Sequence, residues 1–115
     1  MKDIMGVLHY RDKDYPFIFN LNVMEAIQDE YGSLDKWGEL TDGTDGNEPN
    51  FKALLFGYTQ MINEAIDIAN DEHGTHDPFL TKKQVGRIIT EVGLSNATNT
   101  LNGTIKDSVR DEKNA

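Results

Sequence analysis

Apolar and polar residues alternate from Tyr15 to Leu21, with Tyr15, Phe17, Phe19 and Leu21 on one side and Pro16, Ile18 and Asn20 on the other. A period of two is that of a half-buried strand. Ile4 to Tyr10 is a second β-capable run, and the short polar stretch Arg11-Asp12-Lys13-Asp14 between them suits a hairpin turn. The pattern predicts a β-hairpin over residues 4–21. Pro16 has no N–H to give to a ladder, so its strand belongs at an edge or begins at that residue.

Beyond the hairpin the period lengthens to that of a helix. Asn22 is placed to cap a first helix ending at Tyr31, with Val23, Met24, Ile27 and Tyr31 on one stripe and Gly32 as a left-handed stop. Ser33 can cap a short second piece, Leu34 to Leu40, which carries the single tryptophan, Trp37. Residues 41–49 hold several turn formers and no large apolar side chain, and read as a loop. The strongest periodicity runs over residues 50–72, where Phe51, Leu54, Leu55, Tyr58, Ala65, Ile66 and Ala69 recur at helical spacing. Lys52, Gln60, Asn63, Glu64, Asp67 and Asn70 fall on the other side. Thr81 with Gln84 forms a capping box ahead of Val85, Ile88, Ile89 and Val92, and Gly93 closes that helix. A last, weaker helix follows Ser95, with Ala97, Leu101, Ile105 and Val109 spaced by four. The expected architecture is α+β: an N-terminal β-hairpin packed on a mainly α-helical bundle, one domain over residues 1–110 with a frayed tail at 111–115.

The 115 residues carry 20 acids against 11 lysines and arginines, a formal net charge of −9. The imbalance is local. Between residues 20 and 80 thirteen acids face only Lys36 and Lys52, so this stretch stands at −11 and the two flanks together are slightly basic. Such a surface repels phosphates and anionic headgroups, which argues against nucleic-acid or membrane partners. It serves solubility, or a docking face for a basic or apolar partner. No apolar run approaches the roughly 18 residues of a membrane span, and the N-terminus has no signal-peptide pattern, so the host cytoplasm is the expected location.

Candidate chemistry is sparse. Without cysteine there are no disulfides, thiolate metal sites or thiol nucleophiles. His73 and His76 flank Gly74 beside Asp71, Glu72 and Asp77, but they lie at a predicted helix end rather than at i, i+4 on a rigid helix, and the HExxH pattern is absent. A solvated helix terminus, with His73 set against the helix dipole, accounts for them. In the Asp42–Glu48 loop the calcium register fails, because an EF-hand starting at Asp42 would have Gly46 at position 5 and Asn47 at position 6. His9 has no evident carboxylate partner in the sequence. No serine sits in a G-x-S-x-G elbow, and there is no P-loop or G-x-G-x-x-G. Neither cofactor nor catalytic residues are expected.

Two blocks resemble segments of siphophage and prophage tail assembly chaperones. The first, Phe17-Ile18-Phe19-Asn20-Leu21-Asn22-Val23-Met24-Glu25-Ala26-Ile27 through Tyr31-Gly32-Ser33-Leu34 to Trp37, is similar to their strand-into-helix segment, in which an apolar stripe with acids ends at a glycine and a short Ser-Leu-x-x-hydrophobic piece follows. The second, Asp77-Pro78-Phe79-Leu80-Thr81 through Val85-Gly86-Arg87-Ile88-Ile89, resembles their Leu-Thr-x-x-x-Val-Gly-x-hydrophobic-hydrophobic segment. Between such blocks those proteins carry a long amphipathic helix.

The resemblance implies a non-enzymatic protein that binds the tape measure protein, the long helical chain that sets tail length. It would hold that client soluble until tail tube subunits polymerise around it, then leave before the virion is finished. The resemblance supplies no binding residues. Trp37, Phe56 and Ile68 are the candidate contacts on the pattern alone, being large, apolar and not required by the main stripes; the alternative for each is burial against the hairpin. A second class of function compatible with the charge is an acidic protein-binding inhibitor or DNA mimic, which needs carboxylates spaced like phosphates on one rigid face.

Overall fold

The computed structural model describes residues 4–42, 48–93 and 96. Two strands, β1 (Ile4–Tyr10) and β2 (Lys13–Phe19), pair antiparallel and lead into four helices: α1 (Leu21–Tyr31), α2 (Leu34–Asp42), α3 (Phe51–His73) and α4 (Lys82–Val92). The architecture is α+β, a hairpin laid against a helical assembly with α3 at its centre, in contact with β2, α1, α2 and α4. The predicted final helix and tail (residues 97–115), and the middle of the predicted 41–49 loop, lie outside the described residues.

The hairpin is tighter than its polar stretch implied. Tyr10 pairs with Lys13 and His9 with Asp14, so the loop is only Arg11-Asp12, and Arg11 adopts φ 58°. A left-handed arginine costs on the order of 1–2 kcal/mol, tolerated because the flanking strand pairs over-determine the turn. The same register supplies the partner that His9 lacks in the sequence: its Nδ1 lies 2.5 Å from Asp14 Oδ1, on the solvent side. Pro16 sits opposite Val7 at the edge of a two-stranded sheet, where its missing N–H removes no central ladder bond. Phe17 lies across Gly6, whose Cβ would overlap the ring.

Strand β2 ends earlier than residue 21. Asn20, not Asn22, caps α1: its Oδ1 accepts from the Val23 N–H at 3.2 Å while its Nδ2 donates to Glu64 on α3 at 2.7 Å. Asn22 donates to the same carboxylate at 2.9 Å. One carboxylate of α3 thus holds both asparagines at the start of α1. Leu21, expected to continue the strand's apolar side, becomes the first helical residue and is 65% exposed.

The remaining helices follow their signals. Ser33 Oγ accepts from the Lys36 N–H at the start of α2, and Gly32 and Gly74 end α1 and α3 with positive φ. Asn50 caps α3 through the Ala53 N–H at 2.9 Å. Both halves of the Thr81–Gln84 capping box form, and Gly93 ends α4. Helix α2 runs two residues past the predicted Leu40, because the Thr41 hydroxyl is buried and donates to the carbonyls of Trp37 and Gly38.

The core joins Leu8, Phe17 and Phe19 of the hairpin to Ile27 on α1, Trp37 on α2, Tyr58 and Met61 on α3, and Val85 and Ile88 on α4. Phe17 meets Tyr58 edge to face with ring centroids 5.2 Å apart, and Phe19 stacks on Trp37 at 6.3 Å. Such pairs add about 0.5–1.5 kcal/mol beyond the area they bury.

From Thr75 to Leu80 the chain returns along α3, held by two asparagines. Asn63 donates to the Leu80 carbonyl (3.0 Å) and accepts from the Leu80 N–H (2.8 Å). Asn70 donates to the Asp77 carbonyl, accepts from the Asp77 N–H, and accepts from the Thr75 hydroxyl. The polar side of α3 is therefore partly internal, and these grips deliver the chain to the start of α4.

Candidate functional site

Trp37 is a core residue, 1% exposed. Its Nε1 donates to the Ala53 carbonyl at 2.9 Å, and its ring fills the place where a side chain at Gly57 would stand. The expected contact role does not suit a residue enclosed on all sides by β2 and α3. Phe56 is half-buried and meets Tyr31 edge to face at 5.6 Å. The Tyr31 hydroxyl beside it is buried with no hydrogen-bond partner among the described residues, and burial together with the neighbouring Glu30 raises its pKa. Ile68, also half-buried, lies further along α3. The structure does not bring the three together: Trp37 is committed to the interior and Phe56 to the α1–α3 seam.

A broad concavity lies elsewhere, where the hairpin tip, the N-terminal turns of α3 and one face of α4 meet. It is an open groove of about 1050 Å³. Its floor and walls are Tyr10, Phe51, Leu54, Leu55 and Ile89, with Gly86 in the wall formed by α4. Phe51, the first residue of α3, is 50% exposed, which places a whole aromatic face at the mouth. Each contributor arrives there for a local reason. The Asn50 cap starts α3 so that Phe51, Leu54 and Leu55 share one side of its first turns. The capping box starts α4 so that Val85, Ile88 and Ile89 turn to the core while Lys83, Gly86, Arg87 and Thr90 line the groove.

The rim of this groove reverses the sign of the chain. Arg11, Lys83 and Arg87 border it, and Glu91 is its single acid, held 3.5 Å from the Arg11 Nε. The Arg11 guanidinium also sits 5.1 Å from the centroid of the Tyr10 ring, a cation–π contact that orients it toward the groove's edge. Three of the seven described basic residues are gathered here, on a chain whose net charge is −9. Pattern reading missed the site because its members come from three separated stretches. The signal available was Phe51, apolar at the first position of a helix.

Two smaller hollows are less suited to a large apolar ligand. One, of about 370 Å³, lies between β2 and α3 against the Asp77–Leu80 return; the other, about 220 Å³, sets Asn63, Glu64 and Asp67 beside Val23 and Phe79. His73 and His76 are exposed, and among the described residues no three His, Asp or Glu side chains gather as metal ligands. Among the same residues no helix is long and apolar enough to cross a membrane. No protein-family model matches the sequence, and no curated protein or solved structure matches it significantly.

Proposed function

We propose that this chain is a non-enzymatic tail assembly chaperone of a siphophage or prophage. In this reading it works in the host cytoplasm, covers apolar helices of the tape measure protein during tail assembly, meets the tail tube subunit as that client is handed over, and is absent from the finished virion. The observation that carries the proposal is the ordered pair of sequence blocks, residues 17–37 and 77–89, on either side of a 23-residue amphipathic helix. An open, mainly apolar groove of about 1050 Å³ supports it, since holding a helical client needs a concave apolar surface rather than reactive groups. The charged exterior supports it too, by keeping a loaded complex dispersed.

The test is co-expression with the tape measure protein of the same phage or prophage. The client's soluble fraction should rise several-fold and the two chains should co-purify. A client equally insoluble with and without this chain would end the proposal.

A further inference from the structure

We infer that the groove between the hairpin tip, α3 and α4 takes an amphipathic helix whose apolar stripe is flanked by acidic residues. The inference deepens the chaperone reading, on which it rests for the kind of client; the chemistry of the occupant comes from the groove itself.

The groove is large enough for a helix. A helix about 10 Å across gains roughly 420 Å³ per 5.4 Å turn, so the groove's volume of about 1050 Å³ accommodates about two turns. That is the span of an i, i+3 or i+4, i+7 set of anchors, the pattern read by helix-binding grooves. Phe51, Leu55 and Ile89 offer the apolar surface such anchors need.

Gly86 allows close approach. It lies in the interior of α4, where glycine is the least favourable residue after proline. A Cβ added there would meet the nearest Leu55 carbon at 3.7 Å, an ordinary contact, so no packing among the described residues demands glycine at this position. Gly57 differs, because the Trp37 ring occupies the space its side chain would take. The missing side chain at Gly86 instead lowers the groove wall at its middle.

Charge selects the flanks. Lys83 and Arg87 stand one turn apart on α4, on either side of Gly86, and Arg11 faces them from the hairpin. Both α4 cations are exposed and neither forms an ion pair among the described residues. An occupant with Glu or Asp beside its stripe meets all three; one with Lys or Arg meets like charge. The chain's acidic remainder repels acidic ligands at long range, so attraction to them has to come from the rim cations at short range.

The test uses two dye-labelled designed peptides of about 20 residues with an identical Leu stripe, one flanked by Glu and the other by Lys, titrated against the full chain by fluorescence anisotropy. At about 0.15 M salt, where the acidic remainder is screened beyond about 8 Å, the Glu-flanked peptide should bind on the order of tenfold tighter or more, and the preference should shrink as further salt is added. The double substitution Lys83→Glu with Arg87→Glu should invert the preference. Gly86→Leu should weaken both peptides while leaving the circular dichroism spectrum unchanged.

Equal binding of the two peptides, tighter binding of the Lys-flanked one, or no binding of either to the wild-type chain overturns the inference, and that comparison needs no variant. Two further results also overturn it. A dimer that Gly86→Leu dissociates would make a second copy the occupant. A rise of tenfold or more in peptide affinity for Leu101→Gln with Ile105→Gln would make the chain's own C-terminal stretch the occupant. The inference separates from the chaperone reading: a chain that co-purifies with its long helical client yet ignores the Glu-flanked peptide keeps the function and loses this account of the groove, and the opposite pair of results does the reverse.

Discussion

Gly57 and Gly86 both leave a notch in a helix, and the notches meet different ends. The one in α3 is filled from within: Trp37 lies in it, hydrogen-bonded to Ala53 and stacked on Phe19, and the region around it is closed. The one in α4 opens onto a groove lined by Phe51, Leu55 and three cations. One chain thus uses the same device, a helix without a side chain at one position, to seat its own largest ring and to leave a surface low. A missing Cβ stabilises a fold only where another group of the chain moves into the space; elsewhere it is a cost that points outward.

That contrast can be broken from either end. Trp37→Ala should have the largest effect, about 3–5 kcal/mol of lost stability by urea unfolding, since it empties the notch and removes a buried ring. Gly57→Ala should cost about 1–3 kcal/mol although alanine is the better helix former, because its methyl has to displace the Trp37 ring. A stability equal to wild type there would show that the seat is loose.

A third effect is read in alkali, where burial holds the Tyr58 phenol above its ordinary value of about 10. The unfolded chain begins to lose this proton near pH 10 while the folded chain keeps it, so stability is full below that pH and falls as pH rises past it. The slope approaches about 1.4 kcal/mol per pH unit for one such group. Tyr58→Phe should remove that contribution, seen as a shallower alkaline decline in the unfolding midpoint. The smallest effect has the opposite sign. Gly86→Ala should raise stability by about 0.5–1 kcal/mol, the propensity gain with no ring to displace.

Most of the fold is legible in the sequence because its elements are set by local signals. The period-two run from Tyr15, the helical periodicity over 50–72 and the Thr81–Gln84 box each act within a few residues, and β2, α3 and α4 form there, with β2 ending two residues early. Distant contacts decide most of the remainder. No glycine or asparagine announces the Arg11-Asp12 turn; strand register does. Asn20 rather than Asn22 caps α1 because its backbone is still extended and the helix begins at Leu21. Trp37 falls between the apolar stripes in one dimension, and only the packing of α2 on α3 reveals that its place is inside. The groove was illegible for the same reason, being made where residues 10–11, 51–55 and 83–91 converge. The acidity of the whole chain also obscured a basic rim that exists only once those segments meet.

The two asparagines on α3 act as a vernier. Asn63 and Asn70 are seven residues apart, about 10.5 Å along a helix axis, and the residues they grip, Leu80 and Asp77, are three apart, about 10 Å of extended chain. Both grips read main-chain atoms, so the gripped stretch is free to change its side chains but not its count. Adding or removing a single residue between Asp77 and Leu80 would put the two scales out of step and set α4 down in the wrong place, whereas most replacements there would pass unnoticed.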